Sequence, residues 1–333
     1  MIYVLGFLAS GLVVVFAGTA LARYADAIAE ATSIGRIWIG SVLLAGATSL
    51  PELMTDVAAV RLGAVDLAVG DLFGSSMANM LILAVIDLLP PRKHVLQRVT
   101  LDHALAACLA ISLNALAAVL VLVRPESSLW WVGPGSLLLF LGYVAGTRAV
   151  YRHAAREAVH ALTPTDDEAA PARSPKSLSR AIAGFVTAAL VILVAAPLFA
   201  WSAKGIAEVS GLGHTVVGTW LVGLATSLPE LVASLAAVRM GVFDLAVGNL
   251  FGSNACNMAV FFALDLAQPG NVFAALDPSH AMSGLFAVVL MSLGLAAIVY
   301  RAKRRFAMLE PGSVLMLVGY ALGVWLLWSH ATG

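Results

Sequence analysis

The chain has 333 residues, of which 61% are hydrophobic and 11% charged, with 19 basic against 19 acidic side chains and a mean hydropathy of +0.94. A soluble protein of this length carries about a quarter charged residues, so the composition excludes a soluble enzyme or a nucleic-acid-binding protein and indicates an integral membrane protein. Two cysteines, Cys108 and Cys256, both lie in apolar runs and read as small packing residues rather than a disulfide or metal site.

Apolar runs of spanning length lie near 2–22, 36–60, 66–89, 102–123, 129–150, 181–201, 214–238, 244–267, 279–300 and 312–329. The first could be taken for a signal peptide because Ala20-Leu21-Ala22 resembles a cleavage motif. It has no basic start and is long enough to span, so it reads as the first helix. Trp130-Trp131 and Trp325, Trp328 sit at run ends, where aromatic side chains anchor helices at the membrane interface.

The second and third runs recur as the seventh and eighth. Ala47-Thr48-Ser49-Leu50-Pro51-Glu52 returns as Ala225-Thr226-Ser227-Leu228-Pro229-Glu230, a shift of 178 residues, and from Ala47 to Leu88, 25 of 42 positions match at that offset. The same shift maps each of the first five runs onto one of the last five. The expected architecture is therefore an all-α polytopic membrane protein of ten helices in two five-helix halves, 1–151 and 181–333, with repeated cores near 45–89 and 223–267. Between the halves, 152–180 is polar and holds Thr163-Pro164-Thr165-Asp166-Asp167-Glu168, which reads as a solvated cytoplasmic linker.

Basic residues divide by connection. Three of the 19, Arg61, Arg124 and Lys204, fall on the N-terminal side of the alternation; the remaining sixteen fall on the other, including Arg92-Lys93 and Lys303-Arg304-Arg305. Positive charge stays cytoplasmic, so both termini are expected outside, in the cell inner membrane. An odd number of helices per half makes the repeats inverted: Arg61 lies outside while its copy Arg239 lies inside.

The duplicated residues are the polar ones. A carboxylate near mid-bilayer costs roughly 2.5–3.5 kcal/mol on insertion scales, so Glu52 and Glu230 are functional candidates by default. Pro51 and Pro229 break their helices just before these acids and free the carbonyls of Ala47 and Ala225. Thr48 and Glu52 are four apart and share a helix face, as do Thr226 and Glu230. The next helix of each half adds Ser75 and Asn79, or Ser253 and Asn257, among small residues (Gly70, Gly74, Gly248, Gly252) that permit close helix approach. This inventory contains oxygen donors and no His or Cys, which suits hard cations such as Ca2+.

Other ionisable residues have blander readings. Asp66 and Asp244 open helices and read as N-terminal caps. Asp87 and Asp265 sit at helix ends and read as solvated, and His103 as interfacial. Asp56 and Asp71, whose copies are Ser234 and Asn249, read as lining an outward entrance that attracts cations. No Ser/His or paired-Asp constellation points to an intramembrane enzyme.

The Thr-Ser-Leu-Pro-Glu cores, each followed by Gly-Ser-x-x-x-Asn, resemble the two alpha repeats of the sodium/calcium exchanger family of cation/calcium antiporters. The resemblance implies Ca2+ exchange against Na+ by alternating access, with transported ions and no cofactor; the expected partners are inorganic cations and the lipid bilayer, and the expected state is a monomer. By position it implies Glu52 and Glu230 as calcium carboxylates, and Thr48, Ser49, Ser75, Thr226, Ser227 and Ser253 as hydroxyl and carbonyl donors. Asn79 and Asn257 take the remaining polar positions, and the carbonyls of Ala45 and Gly223 become sodium ligands. Two departures stand out: Ala47 and Ala225 replace a frequent Gly, and Asn257 stands where some members carry an acid. A proton-coupled exchanger, or one for Mg2+ or Mn2+, on the same fold remains the alternative.

Overall fold

The structure, a computed structural model, describes residues 2–32, 34–88, 95–128, 131–161, 175–209, 226–268, 270–300 and 311–332. Its helices are α1 (Ile2–Thr32), α2 (Arg36–Thr48), α3 (Leu50–Arg61), α4 (Val65–Leu88), α5 (His103–Val123), α6 (Pro134–Ala161), α7 (Pro175–Val209), α8 (Leu228–Arg239), α9 (Phe243–Ala267), α10 (His280–Tyr300) and α11 (Pro311–Thr332). Among the described residues seven are long and apolar enough to cross a membrane, and α2 with α3 forms one further span bent by 44°. α6 and the 12-residue α8 stand at the fifth and seventh of the ten expected places.

Several helices outrun their apolar stretches. α1 continues to Thr32 although Arg23, Asp26 and Glu30 end the hydrophobic run. Arg36 donates to Asp26 at 2.6 Å and to Glu30 at 3.1 Å, so the charged turn is paired at the surface and the helix continues. The segment read as a linker, 152–180, is helical at both ends, because α6 extends to Ala161 and α7 begins at Pro175; the rest lies outside the described residues.

The layering follows the polar pattern. α4 and α9, which carry the Ser and Asn residues, are the most deeply buried spans, whereas α1, α7 and α11 turn much of their surface outward. α1 packs chiefly along α7, with Phe7 stacked on Phe199 at 4.3 Å and Tyr3 against Trp201 at 5.0 Å. Trp131, Trp325 and Trp328 are exposed, as interfacial anchors require; Trp130 lies outside the described residues.

Ties at the helix ends display the inversion. Asp66, at the start of α4, accepts from the Asp277 backbone N–H and lies 3.1 Å from His280 Nε2 at the start of α10. Its copy Asp244, at the start of α9, accepts from the Thr100 backbone N–H at 3.2 Å and lies 3.1 Å from His103 Nε2 at the start of α5. Thr100 and His103 follow the far end of α4, so Asp66 and Asp244 lie on opposite faces of the molecule. This corrects the capping reading: these acids serve the other half of the chain, not their own helices. His103 is fully buried rather than interfacial.

Asp87 and Asp265 are also corrected, from solvated to fully buried. Asp87, at the end of α4, accepts from the Leu96 N–H at 2.9 Å and from Ser313 Oγ of α11 at 2.7 Å. Asp265, at the end of α9, accepts from the N–H groups of Val272 and Gly133, both at 2.7 Å, and from the Ser136 hydroxyl of α6. Each carboxylate thus fastens the last helix of the opposite half. An Asp265→Ala change orphans two buried backbone donors and is expected to cost about 3 kcal/mol or more, read as a lowered unfolding midpoint in detergent.

Candidate functional site

The break between α2 and α3 is built in two steps. Ile39–Leu44 is π-helical, a form common at functional sites because one extra residue per turn loosens the ladder. Ser49 then leaves the helix at φ −85°, ψ −3°, and Pro51, which has no N–H to lose, opens α3. The Ala45 carbonyl accepts from the Ser49 N–H at 3.0 Å and from Thr48 Oγ1 at 3.2 Å. In the second half Ser227 likewise precedes α8, with Pro229 in its first turn. Gly223 lies outside the described residues.

Close backbone approach brings α2 against α9. A Cβ on Gly40 would stand 2.7 Å from the Leu245 carbonyl oxygen, and one on Gly248 3.0 Å from that of Ile37. Gly252 faces the Ser41 backbone even more tightly. Of the small residues noted in the sequence, Gly248 and Gly252 therefore do let two backbones touch at this crossing, whereas a Cβ on Gly74 would meet nothing within 4 Å and one on Gly70 only the His280 ring.

The expected polar residues converge from both halves. Ser75 Oγ donates to Glu52 Oε1 at 2.7 Å, and Ser227 Oγ, from the other half, reaches the same oxygen at 3.4 Å. Ser49 Oγ lies 3.4 Å from Glu230 Oε1, the reciprocal cross-half contact. Asn257 Nδ2 is 3.3 Å from Ser75 Oγ, and the Ser75 and Ser227 hydroxyls are 3.4 Å apart. Glu52, Glu230, Thr48, Ser49, Ser75, Asn79, Thr226, Ser227, Ser253 and Asn257 are all buried.

What these groups leave unpaired defines the chemistry. Glu52 Oε2, Glu230 Oε2, Asn79 Oδ1, Asn257 Oδ1 and Ser253 Oγ are buried and have no hydrogen-bond partner in the protein. A buried unpaired polar atom costs about 1–3 kcal/mol, more when charged. Five unpaired oxygens, two of them on carboxylates, are donors of the kind that a desolvated hard cation satisfies. Among the described residues no three His, Cys, Asp or Glu side chains converge as in a resident metal centre. The remaining donors are neutral, which suits an ion that must leave again.

Three residues escape the duplication rule. Asn254 accepts from Asn79 Nδ2 at 2.8 Å and donates to the Ser76 carbonyl at 3.2 Å. Asn114 of α5 donates to the Asn254 carbonyl at 3.1 Å. Asn249 lies 3.3 Å from Thr48 Oγ1 and donates to Ser234 Oγ at 3.0 Å. Asn254 replaces Ser76 of the first half, Asn249 replaces Asp71, and Asn114 corresponds to Ser292, so a search for repeated polar residues passes over them. Their signal is simply an amide within an apolar run.

Asp56 and Asp71 are brought together with Thr226. Asp56 is buried, its carboxyl group faces that of Asp71, and Thr226 Oγ1 lies 3.5 Å from Asp71 Oδ1.

Comparison with known proteins agrees with this geometry. The family model described as sodium/calcium exchanger protein matches residues 2–147 and 180–329, both halves and not the connection between them. CaxA of Alkalimonas amylolytica is 30% identical over 304 residues, covering 89% of this chain and 90% of that protein. Sodium/calcium exchanger MaX1 of Methanosarcina acetivorans is 26% identical over 305 residues, 82% of this chain and 86% of its own length. The fold matches that of the sodium-calcium exchanger NCX_Mj, with a TM-score of 0.72 at 22% identity over 97% of both chains. A match that spans both repeats, on a chain whose two halves face one oxygen-lined centre, places this protein in the sodium/calcium exchanger family.

Proposed function

We propose that the chain is a secondary antiporter that moves Ca2+ out of the cell against inward Na+. The observation that carries this reading is the set of buried unpaired oxygens on Glu52, Glu230, Asn79, Asn257 and Ser253. Glu52 and Glu230 hold Ca2+, their two charges balancing it. Thr48, Ser49, Ser75, Thr226, Ser227 and Ser253, with the carbonyls of Ala45 and Gly223, complete the shells of Ca2+ or Na+.

Coupling follows from sharing one set of donors. Two carboxylates without cations cannot traverse an apolar barrier cheaply, because burying unpaired charge is strongly unfavourable. Loaded with Ca2+ or with Na+, the site is neutralised and the conformational change proceeds. The empty site stays where it is, so each passage carries an ion. The two inverted halves, 1–151 and 181–333, provide the two related conformations that open to opposite sides. The distribution of basic residues over the connections supports a plasma-membrane orientation with both termini outside and 152–180 in the cytoplasm.

In inverted vesicles containing this chain, loading with 45Ca2+ is expected to be discharged by an imposed Na+ gradient and to show saturable counterflow. Flux that ignores Na+ but follows a pH gradient overturns the sodium coupling. Flux without saturation or counterflow would indicate a channel.

A further inference from the structure

The two halves are alike at the central site and unlike beside it. One turn past Glu230, Ser234 pairs with Asn249 at 3.0 Å, and Asn249 in turn meets Thr48 of the other half at 3.3 Å. The pair is neutral and its contacts are satisfied. One turn past Glu52, the same geometry is built from Asp56, Asp71 and Thr226. The hydroxyl of Thr226 addresses Asp71 as that of Thr48 addresses Asn249. Here, however, two carboxyl groups face each other, and Asp56 Oδ2 and Asp71 Oδ2 are buried without a hydrogen-bond partner. Asp56 is 1% exposed. The neutral mate demonstrates that the fold does not need these charges to close the α3–α4 crossing.

Two facing carboxylates out of water are unfavourable unless they share a proton or another cation lies between them. Among the described residues no Lys or Arg forms an ion pair with either. The pair is also within electrostatic range of Glu52. We propose that Asp56, Asp71 and Thr226 form a second cation station, for a hard cation of the same class as the cargo, on one side of the central site only. It lies toward the Arg61–Val65 turn from the central site, because Asp56 is one turn beyond Glu52 in α3 and Asp71 is on the second turn of α4. A cation arriving from that face meets a charged station before Glu52; one arriving from the opposite face meets the neutral pair Ser234 and Asn249. The exchanger therefore has unequal affinities at its two faces.

This inference rests on the exchange reading for what the station feeds, but binding tests it independently. The variant Asp56→Ser/Asp71→Asn copies the neutral pair that the second half already uses, so it is compatible with folding. In right-side-out and inverted vesicles, the half-saturating Ca2+ and Na+ concentrations are measured separately at each face. The expected result is a rise of about tenfold on the Asp56 face for at least one of the two ions, with the other face unchanged. An equal rise on both faces, or none on either, overturns the proposal. The second measurement uses purified full-length Glu52→Gln/Glu230→Gln protein and equilibrium binding of 45Ca2+ and 22Na+. Residual weak binding of one of these ions should persist there and disappear when Asp56→Ser/Asp71→Asn is added. If no residual binding is found, or if it survives the added substitutions, the station does not exist. Loss of Na+-driven flux in the unaltered chain, with this residual binding intact, would instead sink the exchange reading and leave the station standing.

Discussion

Glu52→Gln, and separately Glu230→Gln, should reduce Na+-dependent Ca2+ transport by about 100-fold or more while the protein still inserts and folds. At an effective dielectric of about 20, one charge about 4 Å from a divalent ion contributes several kcal/mol, and each 1.4 kcal/mol is roughly a factor of ten. The amide preserves volume and leaves an oxygen for Ser75 or Ser227 at Glu52, or for Ser49 at Glu230, so packing and hydrogen bonds persist. The loss is therefore one of charge. 45Ca2+ counterflow in vesicles, normalised to protein amount, is the measurement. Normal transport by either variant would remove that acid from the site.

The second large effect is expected from a single methyl group. In Gly252→Ala the added Cβ would sit well inside 3.0 Å of the Ser41 carbonyl oxygen, carbonyl carbon and Cα. All three are backbone atoms, so no side chain can swing away. Either α9 must withdraw from α2 or the π-helical turn at Ile39–Leu44 must distort. Overpacking of this kind costs about 3 kcal/mol, and the displaced segment carries Thr48 and leads directly into Ser49 and Glu52. Unfolding in detergent should begin at a markedly lower temperature, and Ca2+ affinity should fall with it. If both quantities matched the unaltered protein, the close crossing of α2 and α9 would be wrong.

Much of the fold and most of the central donors were legible in the sequence, for one physical reason. In an apolar chain each buried polar side chain is costly, so those kept in both halves mark the shared centre. That reasoning found Glu52, Ser75 and Asn79 together with their copies. It failed where the halves differ, as at Asn254, which holds the Asn79 amide yet stands opposite Ser76. Local rules misled in another way. An Asp at a helix start reads as a cap, but the partners of Asp66 and Asp244 are His280 and His103, more than a hundred residues away in the chain. Asp87 and Asp265 appeared solvated because helix ends normally are; their partners, Ser313 and Ser136, come from the opposite half. Helix lengths were underestimated where charged residues end an apolar run but find partners, as Asp26 and Glu30 do with Arg36.

The ties at the helix ends carry a consequence for how the molecule is made. Asp66 with His280 mirrors Asp244 with His103, and Asp87 with Ser313 mirrors Asp265 with Ser136. Every one of these contacts crosses between halves, and each comes with its reciprocal. Such an arrangement is isologous, as in a twofold homodimer whose subunits present the same patch to each other. The single chain is thus built like a fused dimer of oppositely oriented copies. During synthesis the first copy waits in the bilayer without the His280 partner of Asp66 and the Ser313 partner of Asp87 until its counterpart arrives. Neither copy is complete alone, and co-expression as two separate pieces is the condition under which they would find each other.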